Sequence, residues 1–346
     1  MKKAKAIDLA SRRDAAASNS AAARRTGTSP GAIVEADLVA AEAKLTRLLD
    51  SNESLIAEIC HYLVDGAGKR LRPTFILLVY RACGGSEEKI EDAIDAAIAL
   101  ELIHSATLLH DDIIDGGRLR RGKPSALARY GFAPTLIAGD YLFCRAFEIC
   151  GRFEEHLVRT AAQACIELTE GEVMEGRLRH SASASVADYR QVIARKTASL
   201  FYAGGKVAAD LAGMRPAGID AMARLGLAMG LAFQMIDDLL DVLGPEEKIG
   251  KPVGSDLREG IPSLPVVLAA ARNPELKQML QDGVEMTGAA FERALAILRE
   301  PALIAEARAM AAAEVKIARD ILRELRPSPY RDSLAAIIDE QIDREV

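Results

Sequence analysis

Two short clusters carry the strongest chemical signal in the chain. Asp111, Asp112 and Asp115 stand in Asp-Asp-Ile-Ile-Asp, and Asp237, Asp238 and Asp241 repeat the spacing in Asp-Asp-Leu-Leu-Asp. Residues four apart share one helix face, so Asp111 lines up with Asp115 while Asp112 points roughly 100° away. Like charges at that spacing repel, and the first cluster lies at the C-terminal end of a long helical pattern, the wrong end for anions. An arrangement this unfavourable implies a cation. Oxygen ligands without thiolates suit a hard ion such as Mg²⁺, which prefers sites shared between one or two carboxylates and substrate phosphates. The second cluster is bracketed by Phe233, Met235 and Ile236 on one side and Val242 and Leu243 on the other, which a solvated acidic face would not be.

Cations stand where phosphates would need them. Lys69, Arg70 and Arg72 follow Gly68, and Pro73 suits the first residue of the next helix. Arg118, Arg120, Arg121 and Lys123 follow the first acidic cluster, with Lys196 and Lys251 further on. Arginine grips phosphate oxygens in a bidentate way and lysine acts as a point charge. Arg70 and Arg118 read as solvated loop residues. His104 lies two turns before Asp111 on the same face, and Gln234 lies three residues before Asp237 and seven before Asp241, again on one face. His61, His110, His156 and His180 read as structural.

The elements that position these residues are helical. Ala32–Leu49, Glu87–Ile114, Ala133–Thr169 and Ala302–Leu325 repeat apolar residues every three or four positions, and alternating β-branched runs are nearly absent. Breakers cluster at Gly66–Gly68, Gly116–Pro124, Gly213–Gly218 and Gly244–Pro265. This predicts one all-α domain of ten or more helices over residues 32–346. Residues 1–31 read as a disordered basic tail: the first thirty carry a net charge of +5, leaving −11 on the rest.

Composition bounds the function. A chain of 346 residues with net charge −6, no Trp and 4% aromatics has neither the basic surface nor the stacking platforms that nucleic acids require. No continuous apolar run approaches bilayer-spanning length, so any membrane contact is expected to be peripheral. Cys60, Cys83, Cys144, Cys150 and Cys165 are odd in number and form no close pair, which argues against disulfides and fits a cytoplasmic protein. Walker A, Gly-x-Ser-x-Gly and His-Glu-x-x-His patterns are absent.

Taken in order, Gly68–Pro73, Glu101–Asp115 with Arg120-Arg121-Gly122, Ala138-Gly139-Asp140, Gly171–Glu175, Lys196-Thr197, Phe233–Asp241 and Gly250-Lys251 through Gly260 closely resemble the trans-type polyprenyl (isoprenyl) diphosphate synthases. That resemblance implies an all-α fold around a central cavity, usually a homodimer. It implies head-to-tail condensation of isopentenyl diphosphate onto an allylic diphosphate, with three Mg²⁺ ions when substrate is bound. It places Asp111, Asp115, Asp237 and Asp241 at the metals, with Asp112 and Asp238 in support. Lys69, Arg72, His104 and Arg121 match the isopentenyl diphosphate positions, and Arg120, Lys196, Thr197, Gln234 and Lys251 the allylic ones. In such a mechanism Thr197 and Gln234 supply dipoles to a carbocation in a dry pocket. Three positions depart from the common pattern: Ala67 for Gly, Ile261 for Lys, and Glu175, for which both proximity to the metals and simple solvation stay open.

By the same resemblance the product tunnel runs beside the helix bearing Asp111. Ala106 and Thr107 lie about one turn, 5.4 Å, below it, and their small side chains imply an open tunnel and a product of about C30–C50. The rival products and functions are geranylgeranyl diphosphate (C20), a non-catalytic diphosphate-binding partner subunit, a terpene cyclase, and a helical Mg²⁺ or phosphate module. The intact second aspartate cluster argues against the cyclase and the partner subunit.

Overall fold

The computed structural model describes residues 30–64, 70–244, 252–283 and 286–343. The first 29 residues, and with them most of the basic tail, lie outside these, as do Lys69 and Lys251. Pro30 and Gly31, assigned to the tail, instead begin a 3₁₀ turn, Pro30–Val34, in which Gly31 and Val34 are buried.

The chain is helical almost throughout. Helices α1 (Glu35–Leu48), α2 (Ser54–Val64), α3 (Leu71–Ala82) and α4 (Ile90–Ile114) are followed by a hairpin of β1 (Leu119–Arg120) and β2 (Lys123–Pro124). Then come α5 (Ala126–Tyr130), α6 (Phe132–Cys150), α7 (Glu155–Leu178), α8 (Val186–Ile193), a π-helical turn (Ala194–Ala198), α9 (Ser199–Leu211) and α10 (Pro216–Leu243). The C-terminal part holds α11 (Ser255–Glu259), α12 (Leu264–Ala270), α13 (Pro274–Gln281), α14 (Gly288–Leu298), α15 (Pro301–Arg323) and α16 (Pro329–Asp343). The all-α expectation of ten or more helices holds. The pattern over Ala133–Thr169 is two helices rather than one, parted at Gly151–Glu154, and Gly218 lies inside α10 rather than in a break. Pro73 is the third residue of α3, still in the first turn, where its missing N–H costs nothing.

Local chemistry sets the helix ends. Pro216, Pro274 and Pro301 occupy first turns. Ser185 and Asp188 form a reciprocal capping box that starts α8. Arg121 and Gly122, at φ 52° and 74°, make the two-residue hairpin turn, a left-handed pair that matches strand twist.

Helix α4 packs against α6, and α10 against α9 and α15. α4 is apolar on nearly every side, which buries it from Ala93 to Leu109. One core gathers α1, α3, α4, α6 and α9, and a second gathers the C-terminal half of α10 with α11, α12 and α14. The segments Glu87–Ile114 and Pro216–Leu243 do reach the length and apolarity of a membrane-spanning helix, which corrects the expectation from the sequence. Their most apolar windows are 83% and 61% buried inside the protein, so they serve as core helices. All five cysteines are free.

Candidate active site

The site forms where the C-terminal ends of α4 and α10 meet the π turn. Lys196 and Thr197 are neighbours in that turn and reach opposite ways. Lys196 Nζ lies 2.6 Å from Glu172 and 2.6 Å from Glu175, both on α7. The Thr197 hydroxyl donates to Gln234 Oε1 on α10 at 2.8 Å. A π turn carries one extra residue per turn and is common at functional positions. Two glycines hold this one in place. A Cβ on Gly171 would stand 2.6 Å from the Lys196 nitrogen, and one on Gly230 2.6 Å from the Ala198 Cα. Only glycine lets α7 and α10 approach so closely, which gives the Gly171–Glu175 block its physical reason.

Each carboxylate of the first cluster has a distinct environment. Asp111 has its carboxyl pushed up to about 7, first by burial; Lys196 opposes the shift while Glu172 and Asp115 add to it. Asp112 is 3% exposed and accepts from Arg120 Nε at 2.8 Å. Asp115 accepts from Arg179 at 2.5 Å. In the second cluster Asp237 is exposed, whereas Asp238 and Asp241 are buried. Asp238 accepts from Gln234 Nε2 (2.9 Å), Tyr189 OH (2.7 Å) and the Leu264 amide (3.0 Å). Burial raises its carboxyl to about 7, Asp256 adds to the rise, and the three donors counter it. The Asp256 amide donates to Asp241 at 3.2 Å.

The cationic wall stands beside Glu101. Arg72 lies with its guanidinium 5.0 Å from the Phe201 ring centre, and burial lowers its pKa while Glu101 and Asp237 raise it. His104 is held well below its ordinary pKa by burial and by Arg72, Arg120 and Arg121, so it is a neutral imidazole. Arg121 sits at the hairpin tip. Arg70 is not the solvated loop residue that the sequence suggested: it bonds Glu42 through two 2.8 Å contacts and Glu101 at 3.2 Å. Ala106 is fully buried, and Thr107 is 8% exposed with its hydroxyl bonded to the His104 carbonyl. Further down α4, Ala96, Ala99 and Leu100 line an apolar hollow with Leu157, Val158 and Val207.

Among the described residues no three His, Cys, Asp or Glu groups converge on one point. A cation shared with substrate phosphates needs only one or two carboxylates from the protein. The donor set fits such an ion: exposed Asp237, partly exposed Asp115 and Asp111, whose charge is disfavoured by burial. Sequence reasoning missed Arg179, Tyr189 and the role of Glu172. Seven positions separate Tyr189 from Lys196, but no local pattern marks it as polar machinery.

Comparison with known proteins agrees with this geometry. The chain is 33% identical over 316 residues to octaprenyl diphosphate synthase of Haemophilus influenzae, covering 90% of this chain and 95% of that one. It is 35% identical over 306 residues to a short chain isoprenyl diphosphate synthase of Methanothermobacter thermautotrophicus, covering 86% and 92%. The fold superposes on polyprenyl synthase of Caulobacter crescentus, crystallised with calcium and isoprenyl diphosphate, with a TM-score of 0.86 and 32% identity, covering 93% of this chain and all of that one. The polyprenyl synthetase family matches residues 53–298, which hold both aspartate clusters and the π turn between them, and the chain belongs to that family.

Proposed function

We propose that this protein is a trans-prenyltransferase that adds isopentenyl diphosphate head-to-tail to an allylic diphosphate and makes a long-chain polyprenyl diphosphate. The observation that carries the reading is the pair Lys196 and Thr197. One is joined to the carboxylates beside Asp111, the other to the helix that bears Asp237, so a single turn links both acidic clusters.

The residues divide the work. Asp111, Asp115 and Asp237 present carboxylates for three Mg²⁺ ions, with Asp241 and Asp112 behind them. When bound, such ions neutralise and polarise a diphosphate. Lys196 and Arg120 meet the allylic diphosphate and stabilise charge that grows on it as the carbon–oxygen bond breaks. Arg72, Arg121 and His104 orient isopentenyl diphosphate. Lys69 and Lys251 belong to the same two sites by resemblance. Thr197 and Gln234 turn dipoles toward the allylic carbon in a pocket that excludes water. Ala106 and Thr107 present no bulky side chain to a product chain growing down α4, which supports the long product over geranylgeranyl diphosphate.

We infer further that the protein is a homodimer. Phe132, Leu136, Ile137 and Phe147 on α6 are exposed large apolar residues, as are Ile166 and Val173 on α7. Monomeric soluble proteins seldom leave large apolar surfaces uncovered, and a two-fold axis sets the same residues of two copies against each other.

The test incubates the purified protein with Mg²⁺, farnesyl diphosphate and labelled isopentenyl diphosphate and sizes the products by chromatography. A ladder ending in one long product supports the reading. A stop at C20 replaces it with geranylgeranyl synthesis, and no product despite diphosphate binding replaces it with the partner-subunit role.

A further inference from the structure

In the prenyl-transfer reading, on which the role of Tyr189 rests, Thr197 and Gln234 face the allylic carbon. Neither side chain fixes its own polarity. An amide can present either end, and a hydroxyl can turn its proton either way. The structure shows what sets them. Three elements converge on buried Asp238: the Tyr189 hydroxyl from α8 at 2.7 Å, the Leu264 amide at the start of α12 at 3.0 Å, and the Gln234 amide nitrogen one turn back on α10 at 2.9 Å. The Leu264 backbone N–H can only donate, and Asp238 accepts it together with the other two donors. Gln234 must then turn its NH₂ toward Asp238 and its carbonyl toward Thr197. The Thr197 hydroxyl proton is thereby committed to Gln234, at 2.8 Å. Its oxygen lone pairs are left for the open side of the residue, the negative end of the dipole outward.

We propose that Tyr189 is a positioning residue for catalysis: through Asp238 and Gln234 it fixes the direction of the Thr197 hydroxyl so that its oxygen, not its proton, faces the developing allylic cation. Tyr189 is 2% exposed, and it acts only through this chain of bonds. Without its hydroxyl, Asp238 Oδ2 keeps only the Leu264 amide, and the carboxylate is free to swing off the line that meets Gln234 Nε2. The amide of Gln234 can then turn over, and Thr197 can point its proton at a positive carbon. Tyr189 lies behind Asp238 and is not one of the substrate-binding positions, so its loss is read in kcat rather than in KM.

The experiment measures kcat and KM for both diphosphates in Tyr189→Phe, Thr197→Val and the double variant, with Thr197→Ser as the conservative control. The expected result is a fall of about tenfold in kcat for Tyr189→Phe at unchanged KM values, as for loss of a charged-group hydrogen bond. Thr197→Val falls at least as far, Thr197→Ser recovers, and adding Tyr189→Phe to Thr197→Val costs nothing more, because the hydroxyl to be directed is gone. Wild-type kcat in Tyr189→Phe overturns the proposal. So does a further tenfold loss in the double variant, which would show Tyr189 acting independently of Thr197. Wild-type kcat in Thr197→Val instead overturns the underlying reading of Thr197, a distinct outcome.

Discussion

Lys196 and Glu175 form an ion pair of 2.6 Å in which the carboxylate is 9% exposed. Of the two roles that the sequence left open for Glu175, solvation is excluded. Burial raises its carboxyl, and Lys196 opposes that rise. A diphosphate arriving at Lys196 must therefore compete with two carboxylates for one ammonium. Glu175→Gln keeps the shape and removes one competitor. The expected outcome is a KM for the allylic diphosphate lowered about 3- to 10-fold, the scale of one charged hydrogen bond partly screened. Initial-rate kinetics with farnesyl diphosphate check it; a raised KM would mean that Glu175 holds Lys196 in its productive place.

Asp111 gives a pH prediction whose sign follows from its environment. Its carboxyl ordinarily titrates at 3.8 and stands at about 7 in the folded chain, chiefly through burial. Between those values the folded protein keeps a proton that the unfolded chain has lost, so this group's stabilisation is present at low pH and lost as pH rises toward 7. Metal-free protein should accordingly lose thermal stability across that window. Added Mg²⁺, which competes with the proton, should raise Tm more at pH 8 than at about pH 6. Asp111→Asn should flatten the pH slope without abolishing it, because Asp238 also titrates at about 7. It should raise the metal-free Tm at pH 8 by a few degrees and reduce turnover about 100-fold or more. Thermal melts with EDTA and with Mg²⁺, alongside product assays, measure all three effects.

How much of the fold and site was legible in the sequence depends on how local each cause is. The aspartate clusters, His104 and Gln234 were visible because spacing along one helix decides their faces, whereas Lys196 stood out only through the family resemblance. The helical class was visible because the segments of α1, α6, α7 and α15 repeat apolar residues at helical intervals. Tyr189 was not: its partner Asp238 lies 49 positions away, and no local pattern encodes that distance. Arg179 meets Asp115 across 64 positions for the same reason. The break at Gly151–Glu154 was missed because apolar spacing resumes in phase beyond it. Gly171 stood out only as part of a family block and Gly230 not at all, although each marks a place where a backbone passes too close for any Cβ.

The exposed apolar residues on α6 predict an interface. Ile137 is 52% exposed and Phe147 50%, and Phe143 stacks on Phe147 with ring centres 6.4 Å apart. If a second copy covers them, Ile137→Glu combined with Phe147→Glu places charges in a desolvated contact, and like charges from the two protomers then face each other. Sedimentation should show the parent at twice the 37.1 kDa chain mass and the double variant at that mass. A parent that sediments as a monomer would refute the interface outright.

Product length should follow depth along α4. Ala96 lies 15 residues before Asp111, about 22 Å at 1.5 Å per residue, whereas Ala106 lies five before it, about 7 Å. Ala96 lines the apolar hollow with Leu157, Val158 and Val207, so if the growing chain reaches that hollow a bulky group there stops it. Ala106→Phe should stop the chain early and Ala96→Phe should stop it late, both below the parent length, with the first addition to farnesyl diphosphate little changed. Ala106 is wholly buried, so its replacement overpacks the core by about 1–3 kcal/mol and must be assayed well below its Tm. The ordering is decisive: two variants that shorten the product equally would place the stop elsewhere, and an unchanged product in Ala106→Phe would mean that the growing chain does not pass this turn of α4.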